Sequence, residues 1–138
     1  NESATKECIN EHGWFKSGDL GKFDGPFLYI LDRLKDMVIR GGENIACPEV
    51  EAAIYEHPDV LEASVFGIPD ERLGEILCTS IYLRDNSNAT EETIRDFLSN
   101  KLAAFKIPAV IKFSTEPLPK LASGKFDKPT LRGLFENK

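Results

Sequence analysis

Near the C-terminal end, Pro119-Lys120-Leu121-Ala122-Ser123-Gly124-Lys125-Phe126-Asp127-Lys128 sets one lysine directly behind a Ser-Gly turn. Glycine reaches the positive-φ backbone that a sharp turn requires, so Lys125 is expected to project from the body as a movable point charge. A compact ammonium on a flexible stem can stabilise an oxygen that gains negative charge during a reaction. The same residues also suit a solvated loop, and what accompanies them decides between the two. Other reactive groups are sparse. Cys8, Cys47 and Cys78 lie far apart with no C-x-x-C pair, a pattern of reduced cytosolic thiols rather than of a disulfide framework. His12 and His57 lack ligand-like spacing, so no metal site is expected. His57 precedes Pro58 at a helix end, where a solvated or capping histidine is expected.

The elements that must position Lys125 follow from periodicity and punctuation. Residues 1–12 read as a short helix or linker. Between Gly13 and about Asp32, Trp14, Phe15, Leu20, Phe23, Phe27, Tyr29 and Leu31 alternate loosely with polar residues, and Asp24-Gly25-Pro26 interrupts them. This predicts two strands and a turn. Lys35 to Ile45 predicts a short hairpin bent at Gly41-Gly42. Pro48, at the first helical position and followed by Glu49 and Glu51, starts a helix that Pro58 stops. Residues 60–68 and 76–83 have strand length and β-branched or aromatic content, and residues 85–88 form a turn. Thr90 caps a helix whose apolar face is Ile94, Phe97, Leu98 and Leu102. Residues 110–113 form another strand, and 128–135 a closing helix. From about residue 36 the order is helix-strand-strand-helix-strand-helix, an α+β domain with a small three-stranded sheet packed by helices.

Composition narrows the function classes. The 138 residues fit one domain plus some residues of a neighbour's tail, and a net charge of −6 without basic runs excludes a nucleic-acid footprint. No apolar run approaches the roughly 18 residues that span a bilayer. The only methionine is Met37, and the chain opens at Asn1. An excised piece of a longer polypeptide is the expectation.

Three blocks recur in a family order. Gly13-Trp14-Phe15-Lys16-Ser17-Gly18-Asp19-Leu20 comes first. The run from Leu31 through Asp32-Arg33-Leu34-Lys35 and Ile39-Arg40-Gly41-Gly42-Glu43-Asn44-Ile45 to Pro48-Glu49-Val50-Glu51 is second, and Ser123-Gly124-Lys125 is third. Gly67-Ile68-Pro69-Asp70-Glu71 and Phe105-Lys106-Ile107-Pro108 lie between the last two. Together they resemble, over essentially the whole chain, the C-terminal portion of the adenylate-forming (AMP-binding) superfamily. That family includes acyl-CoA synthetases, adenylation domains of peptide synthetases and beetle luciferases.

The resemblance implies an ATP-dependent ligase that activates a carboxylic acid as acyl-AMP, releases pyrophosphate and passes the acyl group to CoA. It makes Lys125 the lysine bridging the acyl carboxylate and the phosphate. Asp19 becomes the ribose-binding aspartate, read from the residues alone as a turn aspartate. Arg33 becomes a second ribose contact, read alone as a surface partner for Asp32 or Asp36. Lys35 takes the hinge position about which such lids alternate between adenylation and thioester formation; many members carry aspartate there. Gly41, Gly42 and Glu43 become CoA-facing residues of a thiol tunnel, with a plain hairpin turn as the alternative. Asn44 departs from members that have arginine at that position and removes a phosphate contact. Lys101 and Lys106 could meet the phosphates of CoA or form a solvated helix face.

Residues 1–34 are thereby the tail of a large N-terminal adenylation domain, and residues 35–138 are a mobile lid with a β-hairpin at its hinge. ATP and CoA are the implied ligands, with Mg2+ bound beside ATP by the missing domain. The implied partners are that domain and the carboxylic acid, in fatty-acid or related cytoplasmic metabolism. The lid by itself would be inactive. A domain loading an amino or aryl acid onto a carrier-protein thiol is the alternative. A non-catalytic module keeping the lid fold, and a luciferase-like oxygenase, are the other classes weighed.

Overall fold

The structure, a computed structural model, describes residues 2–136. Asn1, at the head of the expected first segment, and Lys138 lie outside the described residues, as does the side chain of Asp32 considered beside Arg33. The chain divides into two compact units, residues 1–35 and 36–138.

In the first unit, helix α1 (Glu2–Cys8) leads through a bridge between Ile9 and Phe15 to an antiparallel pair. Strand β1 (Asp19–Asp24) pairs with β2 (Phe27–Arg33) in the register Asp19↔Arg33 to Asp24↔Phe27. Gly25 has φ +56° at the turn. Trp14, Phe15, Phe23 and Phe27 are all more than 60 % exposed. A two-stranded ribbon is marginal without something to cover such side chains.

The second unit holds one five-stranded sheet. β3 (Val38–Arg40) and β4 (Glu43–Ile45) form the expected hairpin, and β5 (Val60–Asp70), β6 (Gly74–Leu83) and β7 (Val110–Ser114) are the three expected strands. The hairpin is not separate from the three. It joins the sheet where Arg40 pairs with Gly74, giving the order β4-β3-β6-β5, with β7 running parallel beside β6. Strand β5 also continues past Ile68 through Pro69 and Asp70. As an edge strand it loses no ladder bond at a residue without an N–H.

Helices α2 (Cys47–Tyr55), α3 (Glu91–Ser99) and α4 (Lys128–Glu136) cover both faces of this sheet. Ala63, Val65, Leu77 and Ile81 pack with Val50 and Ile54 of α2 and Ile94 and Leu98 of α3. The alternate residues Phe66 and Cys78 pack with Leu118 and with Leu131 and Phe135 of α4. Burial on both faces explains why β5 and β6 read as continuous apolar runs rather than alternating ones. Local signals set the helix ends. Pro48 occupies the first turn of α2, and Thr90 makes a reciprocal capping box with Thr93. His57 lies just beyond α2, accepts from the Asp59 N–H at 3.2 Å and meets Phe97 edge-on at 4.9 Å.

Cys8 is exposed, whereas Cys47 and Cys78 are buried. Burial pushes the Cys78 thiol up to about 11, against smaller lowering effects from a Val110 backbone hydrogen bond and the Lys112 charge. At pH 8 on the order of one Cys78 in a thousand is then ionised. Thiol labelling at that pH is expected to modify Cys8 readily and Cys78 only after unfolding. Mass spectrometry of native and denatured protein checks this.

Candidate functional site

The Lys125 loop is a turn closed by the chain itself. Lys120 and Phe126 form an antiparallel bridge, Leu121 N–H donates to the Lys125 carbonyl at 2.8 Å, and Gly124 N–H donates to the Leu121 carbonyl at 2.9 Å. Gly124 takes φ +82°. A tight turn followed by a left-handed glycine is the usual three-residue form of such a loop, and it leaves Lys125 exposed beyond the bridge.

Ion pairs on both sides brace this turn. Lys120 Nζ meets Glu62 Oε1 at 2.5 Å, and the other Glu62 oxygen accepts from the Leu118 N–H at 2.7 Å. Lys128 Nζ meets Glu51 Oε1 at 3.2 Å, and that same oxygen accepts from the Val65 N–H at 2.9 Å. Asp127 caps α4, accepting from Thr130 N–H and Oγ1 at 3.2 and 2.7 Å. Two carboxylates rooted in β5 and α2 thus fix the segments entering and leaving the turn.

Against this background Lys125 stands apart. Lys101, Lys106, Lys112, Lys120 and Lys128 all have their ammonium groups engaged by a carboxylate or a carbonyl. Among the described lysines of the second unit, Lys125 alone has no such partner. Lys101 pairs with Glu56 at 2.5 Å, and Lys106 with Glu49 at 2.6 Å. These two tie the α3 end and the following loop to α2, which is neither a free cationic patch nor a simple solvated face.

Asp19 and Arg33 are brought together in the first unit. They are opposed in the β1–β2 register, and Arg33 Nε lies 2.9 Å from Asp19 Oδ1. Arg33 therefore has a partner across the strands, while the side chain of Asp32 lies outside the described residues. Ser17 Oγ accepts from the Asp19 N–H at 3.1 Å, so the turn role of this segment is also present. The pair offers a carboxylate that can accept from ribose hydroxyls, beside a guanidinium that orients it. Lys35 sits in a single 3-10 turn, Leu34–Asp36, and the division between the two units falls between Lys35 and Asp36.

Gly41 and Gly42, at φ +58° and +88°, form the two-residue turn between Arg40 and Glu43. Both positive angles are what this hairpin turn demands. Gly41, Gly42 and Glu43 are exposed, and a side chain at Gly42 would meet nothing within 4 Å. One at Gly41 would stand 3.3 Å from Leu73 Cδ2, so the tip is open at Gly42 and closed by Leu73 at Gly41. This hairpin is tied to the sheet at the Asp70–Gly74 end of the β5–β6 ladder, whereas the Lys125 turn is braced toward its other end through Glu62. Eight residues of strand separate those anchors, on the order of 25 Å.

Glu51 and Glu62 are not legible from local sequence as braces of the Lys125 turn. A charge inside the apolar run Val60-Leu61-Glu62-Ala63-Ser64-Val65 is the one signal that could have pointed to Glu62.

A sequence model of the AMP-binding enzyme C-terminal domain family matches residues 49–125. The chain is 41% identical over 133 residues to the mitochondrial medium-chain acyl-CoA ligase ACSF2 of Danio rerio, covering 95% of this chain and 22% of that protein. It is 44% identical over 119 residues to the oxalate–CoA ligase of Arabidopsis thaliana, covering 86% and 23%. ATP-bound MatB from Rhodopseudomonas palustris has a similar fold, with a TM-score of 0.89 and 33% identity over 99% of this chain and 27% of that one. The chain spans about a quarter of the length of the curated relatives it matches.

Desolvation by burial raises the Glu62 carboxyl, but the Lys120 hydrogen bond, the Leu118 N–H and the Lys120 charge outweigh it, leaving it below the ordinary range. A lowered carboxylate adds stability above its unfolded value, near pH 4, and that stability is lost as pH falls through the folded value. Glu62→Ala is expected to lower stability at pH 7 by about 2 kcal/mol, because it strands the Leu118 N–H and Lys120. It should also flatten the acid side of a plot of Tm against pH. An unchanged acid side would remove Glu62 from the brace.

Proposed function

The chain belongs to the AMP-binding enzyme C-terminal domain family, and we propose that it is the lid of an ATP-dependent acid–thiol ligase. The reaction has two steps. A carboxylate oxygen attacks the α-phosphorus of ATP, and the bond to the bridging oxygen breaks to release pyrophosphate. A CoA sulfur then attacks the acyl carbonyl of the acyl-AMP, and AMP leaves. In the first step two anions approach one another, and a cation aimed at the developing charge is the largest aid a protein can give. Lys125, unpaired on a braced turn while the other described lysines of the second unit are engaged by a carboxylate or a carbonyl, is the observation that carries this reading.

The remaining roles follow from the same frame. Asp19, oriented by Arg33, accepts from the ribose hydroxyls of the nucleotide. Residues 1–34 are the tail of the large domain, which would cover the exposed aromatic residues of the β1–β2 ribbon and hold Mg2+ beside ATP. Gly41, Gly42 and Glu43 face the pantetheine arm in the second step. Because the Lys125 turn and the glycine hairpin are anchored toward opposite ends of one ladder, a rigid lid can serve both steps only by turning. Lys35, next to the boundary between the two units, is the hinge that absorbs the backbone change. The three free cysteines suit a compartment that keeps thiols reduced, such as the cytosol.

The acid is set by the large domain. A medium-chain and an oxalate ligase share this lid with similar identity, which leaves little for the lid to say about acid size. CoA is favoured over a carrier-protein thiol as the acceptor by the names of those relatives. The lid alone should be inactive.

In the full-length parent, Lys125→Ala is expected to slow carboxylate-dependent ATP–pyrophosphate exchange by about 100- to 1,000-fold. Thioester formation from supplied acyl-AMP and CoA should persist within a few-fold. Survival of both half-reactions would make Lys125 a solvated loop residue and overturn the proposal.

A further inference from the structure

The glycine hairpin is fastened to the sheet by very little backbone. Arg40 and Gly74 are the paired positions between β3 and β6, and Gly41 N–H adds a bond to the Leu73 carbonyl at 2.8 Å. Buried Val38 and Ile45 root its base in the core, but on the β6 side so short a ladder does little to fix the direction of the tip. A side chain supplies the missing restraint. The half-buried Glu75 accepts from the Ile39 N–H through Oε2 at 2.8 Å, replacing the ladder bond that β3 lacks. Its other oxygen lies over Gly67, where a Cβ would stand 2.9 Å from Oε1, 3.2 Å from Cδ and 3.0 Å from Val38 Cγ2. Gly67 has an ordinary backbone angle, since it is absent from the positive-φ residues. Its requirement is therefore space: any side chain there would displace both the Glu75 carboxylate and the first residue of β3. The buried Gly67 is itself held from the far side, its carbonyl accepting from Arg132 Nε of α4 at 3.1 Å.

We propose that Glu75, seated in the gap left by Gly67, is a positioning residue that holds the Gly41-Gly42-Glu43 tip in the orientation used for thioester formation. The inference rests on the reading of that tip as the CoA-facing element. Glu75 touches no reacting atom in this account; it acts through the Ile39 backbone. The brace on Lys125 is built from Glu62 and Glu51 instead, so the two devices are separable by mutation.

The experiment compares wild-type, Glu75→Ala, Glu75→Gln, Gly67→Ala and Lys125→Ala full-length parent in both half-reactions, with amide hydrogen exchange over residues 37–43. Glu75→Ala and Gly67→Ala are expected to slow thioester formation about tenfold or more and speed exchange at Ile39 by a similar factor, the loss of one charge-assisted hydrogen bond. ATP–pyrophosphate exchange should stay within about twofold under that account. Glu75→Gln keeps an acceptor oxygen and should restore thioester formation most of the way. Equal loss in both half-reactions, unchanged thioester formation, failure of both Glu75→Ala and Gly67→Ala to fold, or no rescue by glutamine would each overturn the inference. Lys125→Ala separates this outcome from failure of the broader reading. If the wild type shows no exchange, the ligase assignment falls; if it exchanges and Lys125→Ala abolishes exchange while the Glu75 variants show no split, the positioning role alone falls.

Discussion

The antiparallel ladder between β5 and β6 is the constraint on which the rest of the second unit depends. It runs from Val60↔Leu83 to Asp70↔Gly74, and its inner residues are buried on both faces, so its register is fixed twice over. Slipping it by one residue would exchange Ala63 and Val65 for Ser64 and Phe66 against α2 and α3. Both candidate segments of the second unit are referred to this ladder. Glu62 near one end carries the Lys125 turn, and Gly74 at the other end carries the glycine hairpin. Distance between these two segments is thus built into strand length.

Charge is used sparingly around that frame. The chain is acidic overall, with 23 acidic against 17 basic side chains, and its carboxylates are spent on backbone N–H groups as well as on lysines. Glu51 and Glu62 each accept from a main-chain donor while pairing with a lysine. Tyr55 and Arg132 serve the β5 edge similarly, at Ala63 and at Gly67. An edge strand covered in this way is protected from pairing with another chain. The same contacts place the loop that follows Leu118. Among the described lysines of the second unit, Lys125 alone is left with neither a carboxylate nor a carbonyl partner, at the tip of a stiff turn.

Elements governed by local chemistry were legible in the sequence. Pro48, Thr90 and Gly41-Gly42 act on their immediate neighbours, and the α2 start, the α3 cap and the hairpin turn all formed at those residues. The strand that crosses Pro69 runs beyond the expected end at Ile68, because proline reads as a stop unless an edge position is known. The docking of the hairpin onto β6 joins residues 34 apart at Arg40 and Gly74, and no local pattern reports it. Lys101 and Lys106 find their carboxylates 45 and 57 positions away, so their neutralisation was equally invisible. Asp19 and Arg33 were named from motif wording, yet their direct pairing follows only from the β1–β2 register. Gly67 belongs to a motif, while the room it leaves for the Glu75 carboxylate depends on a strand neighbour that no local pattern reports.

The claim at the centre of this account is that the Lys125 ammonium is held unpaired for an anionic nucleotide. Timed acetylation of the full-length parent by acetic anhydride, read residue by residue by mass spectrometry with and without ATP and Mg2+, tests it most directly. The account predicts that Lys125 is modified before Lys101, Lys106, Lys112, Lys120 and Lys128, and that ATP with Mg2+ selectively slows its modification. Modification of Lys125 no faster than those engaged lysines, or at a rate indifferent to ATP, would contradict it.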